Sequence, residues 1–273
     1  MSAMAVLLCC GADGLMAHRG AWQRLSCPLP SPCLLAAQDG AVAIADNTQR
    51  LVWLRDALFP VASGVEALLL WQGKLLVLSG DGDSLTLYSP AGTPLFLAPA
   101  GVYPQDMCLT PGGIVAVCGG AEGTVFLLRL PEMTVECRIR VPGSAQRMTW
   151  QGGFLYVLCA VEEEGLRCLL GRLHPRTGRY EALAVLPGLP GAIHTDGANR
   201  LWVAASEALY CFRPGERSPR QTLGGFGLIR HMASRDHQLL LSDPVLGALM
   251  LLESPFHRPQ TLLTGDVGQA LFL

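Results

Sequence analysis

Apolar residues along this chain fall in short bursts that come in pairs, each pair bridged by a few polar or glycine residues. Six stretches share that template: 32–46 (PCLLAAQDGAVAIAD), 66–80 (EALLLWQGKLLVLSG), 105–119 (QDMCLTPGGIVAVCG), 145–159 (AQRMTWQGGFLYVLC), 192–206 (AIHTDGANRLWVAAS) and 229–242 (IRHMASRDHQLLLS). Run length and turn chemistry predict β-hairpins. No long stretch carries the 3.6-residue period of a helix, so the chain reads as nearly all β.

The spacing of the pairs sets their number. Val42, Leu75, Ile114, Phe154, Leu201 and Leu239 each open the second run of a pair, at intervals of 33 to 47 residues. The C-terminal residues 268–273 (GQALFL) read as a first run with no second, and residues 5–11 (AVLLCCG) as a second run with no first. Joining end to start puts Val6 about 40 residues after Leu239 and 36 before Val42. Seven units result. In the second, four strands can be placed, at 67–71, 75–79, 84–88 and 94–98, joined at Gln72-Gly73, Asp81-Gly82-Asp83 and Pro90-Ala91-Gly92. Glycine there permits positive φ and proline fixes the entry angle. Four-stranded sheets repeating radially bury each other's faces and leave short edges. The expectation is an all-β, seven-bladed β-propeller of four-stranded antiparallel blades. Residues 1–273 form one domain, and the seventh blade is shared between residues 1–27 and 265–273.

Composition leaves no second module in view. Of the 273 residues half are hydrophobic and 15% charged, which seven blades use up, and no linker or low-complexity tract interrupts them. A net charge of −2 with scattered Arg and Lys excludes the basic stripe that nucleic-acid binding needs. Residues 4–10 (MAVLLCC) are too short to span a membrane and lack a basic leader, so neither a membrane segment nor a targeting signal is expected. Most of the ten cysteines fall in predicted strands, and no pair has zinc-site spacing. Buried free thiols in a reducing cytoplasm are expected, with export open if a leader has been removed. Cys9 and Cys10 should face opposite sides of one strand. Cys27 and Cys33, flanking CPLPSPC, could meet if oxidised. No metal and no cofactor is implied.

Three segments carry a likeness to known families. Residues 196–204 (DGANRLWVA) resemble the turn-and-strand signature of NHL, YVTN and gluconolactonase-like propellers, 43–54 (AIADNTQRLVWL) the second hairpin of an NHL blade, and 103–117 (YPQDMCLTPGGIVAV) a YVTN-type blade start. The likeness implies a propeller and no particular activity. A lactonase-like enzyme would hold calcium with an early-strand glutamate and with Asn and Asp residues. The early strands are read as lacking that glutamate, and Asp243 as a turn residue before Pro244. A streptogramin-lyase-like enzyme would need a histidine backed by a carboxylate; His194 and His231 are available, without the rest of that pattern. Tryptophan docking motifs of quinoproteins are absent. Trp22, Trp53, Trp71, Trp150 and Trp202 are expected to fill gaps between blades.

Geometry supplies the candidate site. First strands of propeller blades line the channel, and in register their starts bring Cys33, Ala67, Asp106, Gln146, Ala192, Arg230 and Gln269 to one ring, with Arg147, His194 and His231 close by. Arginine offers a planar fork for carboxylate or phosphate, and histidine titrates near neutrality. Asp106, Gln146, Arg147, His194, Arg230, His231 and Gln269 are therefore the candidate ligand-binding residues at the channel mouth. The alternative is that they pair with one another and with channel water. A secondary docking site is the acidic 162–164 hairpin, in the longest interval of the ring. The expected function is a non-enzymatic interaction or ligand-sensing scaffold for a protein partner or a small polar or anionic ligand. The alternative is a lactonase-like hydrolase or lyase using the same mouth.

Overall fold

The computed structural model describes residues 7–162, 164–253 and 257–273, so the Val6 landmark and Glu163 lie outside the described residues. Among the described residues twenty-eight strands make seven four-stranded antiparallel sheets. The chain begins with β1 (Leu7–Gly11), β2 (Gly14–His18) and β3 (Trp22–Arg24). Blade 1 is β4 (Leu34–Gln38), β5 (Ala41–Asp46), β6 (Leu51–Leu54) and β7 (Ala57–Pro60). Blade 2 is β8 (Val65–Trp71), β9 (Lys74–Ser79), β10 (Ser84–Tyr88) and β11 (Pro94–Pro99). Blade 3 is β12 (Asp106–Thr110), β13 (Ile114–Cys118), β14 (Thr124–Arg129) and β15 (Thr134–Arg140). Blade 4 is β16 (Ser144–Gln151), β17 (Phe154–Glu162), β18 (Leu166–His174) and β19 (Arg179–Pro187). Blade 5 is β20 (Pro190–Thr195), β21 (Leu201–Ala205), β22 (Ala208–Phe212) and β23 (Gln221–Gly224). Blade 6 is β24 (His231–Arg235), β25 (Gln238–Asp243), β26 (Ala248–Leu252) and β27 (Gln260–Thr264).

The last strand, β28 (Val267–Phe272), pairs with β1, so blade 7 runs β28-β1-β2-β3. Leu7 faces Phe272, Leu8 faces Leu271 and Cys9 faces Ala270 in that ladder. First strands touch in cyclic order, β4 with β8, β12, β16, β20, β24 and β28 following, and β28 returns to β4. The shared closing blade predicted from the spacing is present. Among the described residues there is no helix long and apolar enough to cross a membrane.

Burial explains why the sheets stand on edge around an axis. The apolar core is divided into seven clusters, and each lies at a seam between neighbouring blades. Both faces of a blade are thus consumed, which is why second strands such as β9 (KLLVLS) are apolar almost without alternation. Each fully buried leucine there, such as Leu75, Leu76 and Leu78, contributes about 1.5–3 kcal/mol. Cys9 packs into the seam of blades 6 and 7 and Cys10 into that of blades 7 and 1, the opposite faces expected of adjacent strand residues. All five tryptophans pack at seams as well. All ten cysteines are free thiols, Cys27 and Cys33 included.

The motifs that resemble propeller families are structural devices. Asp196 accepts the backbone N–H groups of Ala198 and Arg200 at 2.9 Å each, the Arg200 guanidinium at 2.6 Å and the Trp202 indole N–H at 2.8 Å. Those bonds outweigh burial and hold its carboxyl below the usual range. Asp243 accepts backbone N–H groups from Gly227, Leu228, Val245 and Leu246, and is fully buried. It clamps its own turn to the loop entering blade 6. Asp46 does the same in blade 1, accepting from Ser31 and Gln49.

Candidate functional site at the channel mouth

The innermost strand of each blade is an edge whose outward N–H and C=O groups face the channel and need partners. Side chains of the predicted ring supply several of them. Asp106, at the start of β12, accepts the N–H of Met107 and, across the seam, the N–H of Met148 on β16, both at 2.9 Å. Arg147 reaches back from β16 to the carbonyls of Gln105 at 3.1 Å and Gln146 at 2.8 Å. Gln269 on β28 accepts the N–H of Leu35 on β4 at 2.9 Å. His194 on β20 shares a hydrogen bond of 2.8 Å with the Ser234 hydroxyl on β24, and Ser242 donates to the carbonyl of Gly268. Seams 3 to 4, 5 to 6, 6 to 7 and 7 to 1 are stitched in this way, and Asn47 stitches 1 to 2 by exchanging two hydrogen bonds with the backbone of Val65.

A cavity of about 230 Å³ remains inside this belt. Asp106, Arg147, His194, Arg230, His231 and Gln269 line it together, with Ala67 and Ala192 of the predicted ring. Gln146 does not: its carbonyl receives Arg147 while its side chain is outside the lining. Cys33 turns away as well, donating its thiol to the carbonyl of Ala45.

The cavity also holds a residue that the aligned repeat did not reveal. Glu66 lines it, one position before Ala67, and it lies in β8, an early strand. The expectation that early strands carry no glutamate at the channel is therefore corrected. The reason is a β-bulge between Val65 and Ala67, which re-aims the intervening side chain. Gly80 makes room for it, since a Cβ there would meet Glu66 Cγ at 2.7 Å. Similar irregularities open β16 between Ala145 and Arg147 and β20 between Pro190 and Ile193. Such bulges leave no mark in the apolar pattern.

The groups of the cavity divide into paired and unpaired. Among the described residues Arg230 and His231 make no side-chain hydrogen bond, and neither Arg147 nor Arg230 forms an ion pair. Burial lowers the pKa of Arg230, and the nearby positive charge of Arg147 lowers it further. Burial, then Arg147 and Arg230, push His231 down to about 3, so it is neutral. His194 is lowered to about 4 by burial, partly opposed by Asp196. Burial raises Asp106 and Glu66 above the usual carboxylate range, with Arg147 pulling both back.

Neither a protein-family model nor a curated protein matches the chain. Solved structures do. A functionally unknown protein from Desulfotomaculum acetoxidans superposes with a TM-score of 0.76 at 12% identity, over 96% of this chain and 98% of that one. A putative 6-phosphogluconolactonase from Bacteroides uniformis gives 0.76 at 12% identity, over 99% and 100%. Virginiamycin B lyase from Staphylococcus aureus gives 0.71 at 10%, over 86% and 85%. The architecture shared with these structures is that of a β-propeller. At these identities the likeness is one of fold, and fold does not carry activity. Among the described residues no three His, Cys, Asp or Glu side chains cluster as metal ligands. The Asp196 carboxylate, nearest in charge to His194, is taken up by Arg200 and Trp202.

Proposed function

We propose that the chain is a ligand-sensing propeller scaffold that holds a small carboxylate or phosphate compound at the channel mouth. The observation that carries this reading is the pair Arg147 and Arg230, two guanidiniums lining one cavity, neither of them in an ion pair among the described residues. Burial and the nearby Arg147 raise the cost of Arg230's charge, and a bound anion would relieve it. Arg230 keeps all its donors for a ligand. A cavity of about 230 Å³ holds roughly eight waters' volume, at about 30 Å³ each, which suits a compound of few carbons. The competing hydrolase or lyase reading rests on likeness of fold.

The test is a melting experiment with phosphate, acetate, succinate and simple amino acids at millimolar concentration, on the parent and on Arg230→Ala. At about 100 times Kd a ligand adds roughly 2.7 kcal/mol, or about 5 °C or more for a chain of this size. The shift should appear in the parent and vanish in the variant. A parent that no compound stabilises would remove the reading.

A further inference from the structure

The mouth that carries the arginines is surrounded by acids. Antiparallel pairing puts the end of each second strand beside the start of the first, as Cys118 lies opposite Asp106. All seven connections from second to third strand therefore lie on the mouth face. Asp13, Asp81, Asp83, Glu122, Glu164 and Glu207 stand exposed in them, and Arg50 is their only basic residue among those described. Connections from third to fourth strand lie on the opposite face and are richer in arginine, with Arg19, Arg55, Arg176, Arg213, Arg217, Arg220 and Arg258 exposed there against Asp56, Glu132 and Glu253. The acids are thus concentrated on the mouth face, whereas on the far face arginines and acids, Asp39 and Asp236 among them, are mixed.

That arrangement constrains what reaches Arg147 and Arg230. A simple anion must cross a negative rim, which slows its encounter, whereas a molecule with its own positive end meets no such barrier. Inside the cavity the signs are laid out to receive both ends. Glu66 in blade 2 and Arg230 in blade 6 are set apart around the ring, with Arg147 of blade 4 between them. Glu66 has no hydrogen bond among the described residues; the charge of Arg147 acts on it across the cavity, and Asp81 adds negative charge beside it.

Resting on the reading of the mouth as a ligand site, we infer that the ligand is a small zwitterion of the amino-acid class. Its carboxylate lies on Arg230 and Arg147, and its ammonium group on Glu66. Side chains longer than about six heavy atoms would exceed the eight-water volume of the cavity.

Calorimetric titration at low salt distinguishes the possibilities. The parent is titrated with glycine, β-alanine and 4-aminobutanoate, with the matched acetate, propionate and butanoate, and with succinate and 1,4-diaminobutane. At least one amino acid should bind about fivefold or more tighter than its matched carboxylate, the upper range for a partly exposed charge pair. Glu66→Gln should narrow that gap. Arg230→Ala should weaken amino-acid binding about tenfold or more, as loss of a charged hydrogen bond does. Carboxylates or succinate binding as tightly as the amino acids would overturn the inference and leave the anion site standing. A diamine binding best would overturn it too. If the parent binds none of these probes, both readings fall.

Discussion

Asp106 and Arg230 stand at matching places, where the first strands of blades 3 and 6 begin, yet their chemistry has gone in opposite directions. Asp106 accepts two backbone N–H groups, one in its own blade and one from Met148 across the seam. Arg230 faces the same cavity with no side-chain partner and a like charge nearby. The difference lies in what the neighbouring blade presents. An edge strand offers Asp106 a free N–H at Met148, beyond the bulge of β16. A propeller channel thus mixes two populations: side chains that satisfy the inner edges and join blades, and side chains left over. Substitution of the first should cost stability, and of the second, binding.

The largest expected effect comes from removing a whole share of the stitched population. Deleting residues 269–273 takes most of β28, leaves β1 as an open edge and removes the Gln269 bond to Leu35. Loss of cooperative melting and a shift to aggregates on gel filtration are expected. A truncated chain that melts like the parent would refute the shared blade. Next comes Asp106→Ala, which orphans the N–H groups of Met107 and Met148. At about 1–3 kcal/mol for each buried unsatisfied group, a loss of roughly 2–6 kcal/mol is expected in urea unfolding. Asp106→Asn should cost less, since it keeps an acceptor and avoids the burial that raises the carboxyl's pKa. Equal losses for the two variants would show that the bonds do not set the cost.

How far the sequence discloses these two populations differs between fold and site. Strands at 67–71, 75–79, 84–88 and 94–98 coincide with β8 to β11 to within two residues, because apolar runs buried on both faces and glycine turns are legible locally. Asp106, Arg147, His194, Arg230, His231 and Gln269 reach one cavity because strand starts align when the repeat is put in register. Glu66 escaped that alignment, and Gln146 and Cys33 were misplaced by it. Side-chain direction at a strand start depends on bulges at Glu66 and Gln146, and for Cys33 on the nearby Ala45 carbonyl. Pairing was less legible still. The Leu35, Met148 and Ser234 partners lie on other blades, and their identity follows from seam geometry rather than from any local pattern.

Arg230→Ala sharpens the comparison from the other side. Since the guanidinium makes no bond and its charge is disfavoured by burial and by Arg147, the substitution should leave unfolding free energy unchanged or raise it by up to about 1 kcal/mol. Ligand binding should nevertheless be lost. A loss above about 2 kcal/mol in urea unfolding would move Arg230 into the stitching population.

At neutral pH the smallest effects come from the two histidines, which divide along the same line: His194 is bonded to Ser234, and His231 is unbonded among the described residues, beside the arginines. Their pKa values fall to about 4 and about 3, below the roughly 6.5 of an unfolded chain. Below about pH 6.5 the unfolded state therefore takes up protons that the folded state refuses, so their contribution is full above that pH and erodes as pH falls toward 4. Asp106 and Glu66 act oppositely, since their raised values let the folded state hold protons more readily on acidification. His231→Asn should flatten the acid-side decline measured by urea unfolding between pH 7.5 and 4.5. The decline should also flatten when a saturating carboxylate is present, because the added negative charge raises the pKa of His231. His194→Asn should flatten the decline too, but the carboxylate should change that variant's remaining slope and leave the His231→Asn slope nearly unaltered. An equal response of both variants to the ligand would mean that the anion does not sit beside His231.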